Sequence, residues 1–229
     1  MSARDMPNLL RKVPLSSCEA RAPRTLNPAR ALRFAFGRLQ GRLAIWAAGV
    51  AIGRSIDAIG APHIDLHPGS FVSFGRNVRL VSKSFATALG VNHPVVLRTL
   101  AAGARIEIGD RVGISGGTVC AAKLVKIGDD TMLGANVTIA DTDFHSLHIV
   151  HRSGHSHPTV GVAEVRIGKR VFIGTNAIVL KGVIIGDNSV IGAGSVVTSS
   201  MPENCIAAGN PCRVIRELTP EELKDARAV

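Results

Sequence analysis

The sequence predicts an all-β chain wound as a parallel solenoid, and three observations predict it. An aliphatic residue recurs every sixth position, most of these residues precede a glycine, and Asp-Asn or Asp-Asp pairs fall between them. From Ile167 the chain reads IGKRVF, IGTNAI, VLKGVI, IGDNSV, IGAGSV, VTSSMP. Ile167, Ile173, Val179, Ile185, Ile191 and Val197 form an unbroken aliphatic series, and four of the six precede glycine. The same phrase occurs as IGDRVG–ISGGTV from Ile108 and as IGDDTM–LGANVT–IADTDF from Ile127. A period of six is neither helical nor a simple strand alternation. It fits very short strands joined by tight corners, each strand sending one aliphatic side chain inward. Glycine and the acidic pairs supply the corner conformations. Three units close a triangular coil, and each coil buries its rung only against its neighbours. The blocks are out of step by one residue, because Cys120 to Ile127 is seven positions, so a one-residue bulge is expected at a corner there. The repeat by itself leaves handedness open, and parallel crossovers are normally right-handed.

Composition agrees with this reading. The 229 residues suit one domain with appendages, or at most two small ones. Seven Phe, one Trp and no Tyr leave a core of Ile, Val and Leu, which favours β-structure. The formal charge of +10 suits an anionic membrane surface, a phosphate-bearing ligand or nucleic acid. Nucleic acid is disfavoured, since stacking aromatics and any recognisable module are missing from the sequence. Cys18, Cys120, Cys205 and Cys212 show no CxxC and no zinc spacing. With no apolar leader they read as reduced thiols of a cytoplasmic protein, Cys120 as a core residue. The apolar run from Leu43 to Gly53 is too short to span a bilayer.

Residues 1–60 read as a basic tail and a helical segment, 61–218 as the solenoid domain, and 219–229 as a C-terminal helix. The helix is expected from Pro28 to about Gly53, with Leu32, Phe36, Leu39, Leu43 and Trp46 at helical spacing among Arg30, Arg33, Arg38 and Arg42. Two roles stay open for it: a cap packed on the solenoid end, or a basic amphipathic helix on an anionic membrane or lipid-linked glycan. Gly37, Gly41, Gly49 and Gly53 weaken it. Residues 64–80 read as a blurred coil, and 82–95 as a loop leaving the solenoid. At the far end Thr219 is placed to cap a helix, with Pro220 at its first position and Glu222 completing a capping box.

The hexads break at Phe144 and resume at Ile167, and the inserted loop 144–166 holds five of the chain's eight histidines. A break in a regular solenoid marks a loop with a task of its own. His145, His148 and His151 are three apart, His155 and His157 two apart, but no Cys or acidic cluster completes a ligand set, and no metal site is assigned. His93, in GVNHPV, is a second candidate for catalysis or acceptor binding.

From about Ile106 to Leu218, roughly half the chain, the sequence resembles the hexapeptide-repeat acyltransferases. Beside the hexads, the phrase IGAGSVVTSSMPENCIAAGNPCRVIREL is similar to the maltose and galactoside acetyltransferases, and DTDFH with its long insertion to exopolysaccharide acetyltransferases. The resemblance implies a left-handed parallel β-helix, acetyl-CoA as co-substrate, a saccharide hydroxyl as acceptor, and sites between the subunits of a homotrimer. His145 occupies the place of the family's catalytic histidine. An alcohol is a poor nucleophile at neutral pH, and imidazole titrates where a base is needed. Asp143 or Asp141 would orient the ring, or either would be a solvated corner carboxylate. Ser115 stands where the family carries a substrate-contacting asparagine, and Phe172 where it carries tryptophan. Gly192 and Ala193 match positions whose backbone meets the pantetheine arm, and Thr198 and Arg213 match a hydroxyl and a guanidinium near the phosphates. Ser199 replaces the usual lysine. Acetylation of an antibiotic or amino sugar, and a non-catalytic or metal-binding β-helix, are the competing readings. The basic N-terminal segment leaves peripheral membrane contact open.

Overall fold

The computed structural model describes residues 27–50, 56–152 and 160–224. The chain divides into two units, Met1–Arg33 and Phe34–Val229. The described part of the first, residues 27–33, opens helix α1 (Pro28–Ala47). Asn27 Oδ1 accepts the Ala29 N–H at 3.0 Å, and Pro28 takes a first-turn position where no N–H is required.

The second unit is a stack of three-strand coils. The first holds β1 (Asp57–Ile59), β2 (His63–Asp65) and β3 (Phe71–Phe74). The second holds β4 (Arg79–Val81), β5 (Val96–Thr99) and β6 (Arg105–Ile108). Then come β7 (Gly113–Ser115), β8 (Thr118–Ala121) and β9 (Leu124–Ile127), followed by β10 (Met132–Leu133), β11 (Thr138–Ala140) and β12 (Val165–Ile167). Between β11 and β12 the inserted loop carries a short helix, α2 (Ile149–Arg152). The last coils hold β13 (Phe172–Ile173), β14 (Ile178–Val179), β15 (Ile184–Ile185), β16 (Val190–Ile191) and β17 (Val196–Val197). A hairpin of β18 (Cys205–Gly209) and β19 (Cys212–Glu217) closes the stack.

Every third strand lies on the same face. The first face runs β1-β4-β7-β10-β13-β16-β18-β19, the second β2 to β17 and the third β3 to β15. The strand pairs are parallel except β18 with β19. The six hexad aliphatics are the core: Ile173, Val179, Ile191 and Val197 are fully buried, Ile185 is 1% exposed and Ile167 3%. Each contributes on the order of 1.5–3 kcal/mol relative to exposure.

The recurring glycine has a reason other than the one expected. At Gly75, Gly109, Gly128, Gly168 and Gly186 the backbone does not take a left-handed φ. A Cβ there would overlap the next coil; on Gly128 it would lie 2.5 Å from the Gly168 carbonyl oxygen. Glycine lets the coils stack closely. The left-handed corner falls instead on the second member of each pair, Asp130 (φ 58°) and Asn188 (φ 61°), and on Arg111 and Arg170 in equivalent places. The hexad aspartates hold these corners: Asp129 Oδ1 accepts the Asp110 N–H at 3.0 Å, and Asp187 Oδ1 the Lys169 N–H at 2.8 Å.

The extra residue lies where the seven-position step falls, with one change. Ile108 stacks on Ile127, nineteen positions on, whereas Ile167 stacks on Ile185, eighteen on. The rung of the second face is Val119, paired with Leu97 and Ile139, and not Cys120. The slack is taken up at residues 122–123, before β9.

Helix α1 packs through its small residues and turns its apolar stripe outward. Leu32, Phe36, Leu39, Leu43 and Trp46 are 55–71% exposed, while Gly37, Gly41 and Ile45 are buried. Two of the glycines that weaken the helix, Gly37 and Gly41, are its packing surface, while Gly53 lies outside the described residues. The Gly60 N–H donates to the Gly37 carbonyl at 2.9 Å, and a Cβ on Gly41 would lie 2.5 Å from that of Ala58. Phe34 meets Phe85 of the 82–95 loop edge-on, centroids 5.3 Å apart. At the other end α3 (Pro220–Lys224) carries the capping box: Glu222 accepts the Thr219 N–H at 2.8 Å, and Thr219 Oγ1 accepts that of Glu222 at 3.3 Å. Its carboxyl falls to about 2, held first by Arg216 and next by the Thr219 N–H.

Candidate active site

The second and third faces meet at an edge that the inserted loop leaves and rejoins. Its neck is a short antiparallel pairing. Thr142 bridges Val162, the Asp143 N–H donates to the Gly161 carbonyl at 3.0 Å, and the Ala163 N–H to the Asp141 carbonyl at 2.9 Å. Just beyond the neck Phe144 takes φ 61°, and the His145 N–H donates back to the Asp143 carbonyl at 2.7 Å. A γ-turn of this sign is rare and strained. It turns the chain sharply and leaves His145 exposed at the edge.

The two aspartates separate by environment. Asp141 is fully buried, and its carboxylate accepts three backbone N–H groups, from Ala122 at 2.6 Å, Lys123 at 2.7 Å and Leu124 at 2.8 Å. It holds the slack corner of the preceding coil, so it is no solvated carboxylate. Asp143 is half-buried, and its Oδ1 lies 2.7 Å from Lys181 Nζ. A Cβ on Gly161 would lie 2.8 Å from Lys181 Cε and would collide with the Asp143 carboxylate, so glycine keeps the pair intact. Sequence reading passed over Lys181. In VLKGVI it sits one coil before Ser199 at the same edge, and coil register would have found it.

The remaining candidates lie elsewhere on the coil. Ser115 ends β7 at the edge between the first and second faces. The 82–95 loop reaches the same edge: Asn92 N–H donates to Asn136 Oδ1 at 2.8 Å, and a Cβ on Gly116 would meet the His93 carbonyl. His93 Nδ1 is 2.7 Å from the Pro94 oxygen. Gly192 and Ala193 form a corner at this edge, while Thr198 and Ser199 are exposed at the edge of His145. Phe172 is exposed on the outer surface of the first face, and Arg213 lies on β19 with Nη1 donating to the Cys212 carbonyl at 2.8 Å. One chain therefore unites Asp143, His145, Lys181 and Thr198 at one edge, and Ser115, His93, Gly192 and Ala193 at another. His148 and His151 have rings 4.9 Å apart; His155, His157 and Cys18 lie outside the described residues.

The described cysteines are buried and free. Burial, then the Asp141 charge, pushes the Cys120 thiol up to about 11, and burial raises Cys212. Neither is an accessible thiolate.

Residues 124–140 and 164–199 match the family described as the hexapeptide repeat of succinyl-transferase. These coils are hexapeptide repeats. The chain is 43% identical over 98 residues to the galactoside O-acetyltransferase of Escherichia coli K12, covering 43% of this chain and 46% of the relative. It is 36% identical over 123 residues to a putative lipopolysaccharide biosynthesis O-acetyl transferase of the same organism, covering 51% and 59%. The chain spans about half the length of these curated relatives. A galactoside acetyltransferase solved in complex with coenzyme A superposes with a TM-score of 0.50 at 26% identity, covering 82% of this chain and 84% of that one. The N-acyltransferase AntD of Bacillus cereus, at 18% identity and TM-score 0.57 over 76% and 88%, shows the fold alone. The fold is the left-handed parallel β-helix, and the resemblance to the hexapeptide-repeat O-acetyltransferases holds.

Proposed function

We propose that this hexapeptide-repeat chain is an acetyltransferase that moves acetyl from acetyl-CoA to a hydroxyl of a saccharide or polysaccharide precursor, with His145 as general base. The observation that carries the reading is the strained turn at Phe144, which sets His145 at the mouth of the inserted loop beside the Asp143–Lys181 pair. The acceptor hydroxyl gives its proton to the imidazole as its oxygen attacks the thioester carbonyl. A C–O bond forms, the C–S bond breaks, and His145 returns the proton to the departing thiolate. No covalent enzyme intermediate is needed, in keeping with the buried thiols. Asp143 acts as a positioning residue: paired with Lys181, it fixes the neck from which His145 projects. Lys181 also supplies a positive charge at the edge where Ser199 does not.

The chain's own residues suit a coenzyme A ester. The corner carries only small residues: Gly192 abuts Ala208, Ala193 is exposed, and a Cβ on Gly194 would meet nothing within 4 Å. Thr198 and Arg213 are exposed and available to phosphate. Ser115, Phe172 and His93 are the acceptor-side candidates. Because they lie away from the edge of His145, a complete site draws on a second copy, which supports a homotrimer with the site between subunits. The likeness to a putative lipopolysaccharide biosynthesis O-acetyl transferase supports a glycan precursor as acceptor; the cytoplasmic, membrane-peripheral place is inferred from the basic N-terminal segment. Among the described residues no helix is long and apolar enough to cross a membrane.

Calorimetric titration of the full chain with acetyl-CoA tests the reading. Saturable binding in the micromolar range, about −8 kcal/mol, is the expected result, weakened by Arg213→Ala. Absence of binding by the folded assembly overturns it.

A further inference from the structure

Two features of the α1 end of the solenoid are used neither by the site nor by the core. The first is the outward stripe of the helix. Phe36, Leu39, Leu43 and Trp46 are 60%, 55%, 55% and 71% exposed. At ~100° per residue they fall within an arc of about 80°, roughly opposite the arc of Gly37, Gly41 and Ile45 that packs on β1. A contiguous apolar patch of this kind marks an interaction surface. The second is an open cavity of about 430 Å³ beside that helix, lined by Arg38, Arg42, Arg79, Asp57, Asn77 and Ile56 among others. Three guanidiniums face one carboxylate there. Asp57 takes Arg38 at 2.7 Å and reaches Arg79 at 3.7 Å, which leaves the cavity net positive. The α1 sequence contains arginines and no acidic residue.

We propose that this end of the molecule docks on an anionic lipid bilayer, with Phe36, Leu39, Leu43 and Trp46 entering the interface and the Arg38–Arg42–Arg79 cavity holding lipid phosphate. The proposal names the face behind the peripheral place inferred above and rests on that reading. Apolar side chains beside arginines are the composition of a helix that lies in the headgroup region, and tryptophan favours that depth. Charge selects the occupant. A second copy packed on this face would bring the arginines of two molecules together, whereas an anionic surface neutralises them.

Trp46 is the chain's single tryptophan, so its fluorescence reports directly on the stripe. The full chain is mixed with vesicles of phosphatidylcholine containing phosphatidylglycerol, and with phosphatidylcholine alone. A blue shift and co-sedimentation with the anionic vesicles, lost at high salt, are expected. Leu39→Glu with Leu43→Glu, or Arg42→Glu, weakens binding roughly tenfold or more. These side chains are exposed, and matched melting curves show that the variants fold. The Leu39→Glu, Leu43→Glu protein retains acetyl transfer to a soluble acceptor, so failure of docking is distinguished from failure of the acetyltransferase reading. No partition to anionic vesicles overturns the proposal, as does undiminished binding by the variants. Binding of inorganic phosphate without any vesicle response assigns the cavity to free phosphate instead. An assembly mass that falls by half in the Leu39→Glu, Leu43→Glu protein, without vesicle binding, assigns the face to a second copy.

Discussion

His145→Ala is expected to lower the rate of acetyl transfer by about 10²–10⁴-fold, the range for loss of a positioned general base. The side chain is exposed at the loop mouth, so its removal leaves no cavity in the core and the melting temperature stays near that of the parent. Acetyl-CoA affinity is also retained, because the proposed contacts to the ester lie on the corner of Gly192 and Ala193 and on Thr198 and Arg213. A steady-state assay that separates kcat from KM checks this: the loss belongs in kcat. Loss of the same size in KM alone would make His145 a binding residue.

Asp141→Ala is expected to act through the fold. Three N–H groups converge on a carboxylate fully removed from solvent, and alanine leaves them all without that acceptor. Loss of a buried, hydrogen-bonded charge with unpaired donors left behind costs about 3–5 kcal/mol. For a chain of this length that is a fall on the order of 10 °C in Tm. Asp141→Asn, which keeps an acceptor oxygen, loses less. Thermal unfolding followed by circular dichroism measures both. A shift of Asp141→Ala within the scatter of surface variants would show that the corner at residues 122–123 holds without its acceptor.

The contrast between these two residues shows where sequence reading succeeds. The hexads are legible because each inward side chain needs only its own coil and the two beside it, so local spacing carries the whole packing rule. The capping box at Thr219 and Glu222 is legible for the same reason, since both partners lie within one turn. Asp141 is not, because its partners sit in the preceding coil, at a corner whose extra residue creates the need for it. Helix α1 is legible in part, since its spacing leaves open whether the stripe packs or faces outward. Its glycines read as weak points. Close approach of the helix to β1 needs a surface without side chains, so the glycines turn inward and the apolar stripe turns out. Gly168 and Gly186 carry the same lesson within the repeat. Lys181 was obscured because VLKGVI reads as one more hexad, and only the stacking of coils brings it to Asp143.

Transfer of labelled acetyl from acetyl-CoA to saccharide acceptors tests the central claim most directly, with products identified by mass spectrometry and treated with hydroxylamine. The account predicts a hydroxylamine-labile ester on a sugar hydroxyl, formed by the assembled protein and reduced to near background by His145→Ala. An acid-stable amide on an amino sugar, or equal ester formation by the His145→Ala protein, would contradict it.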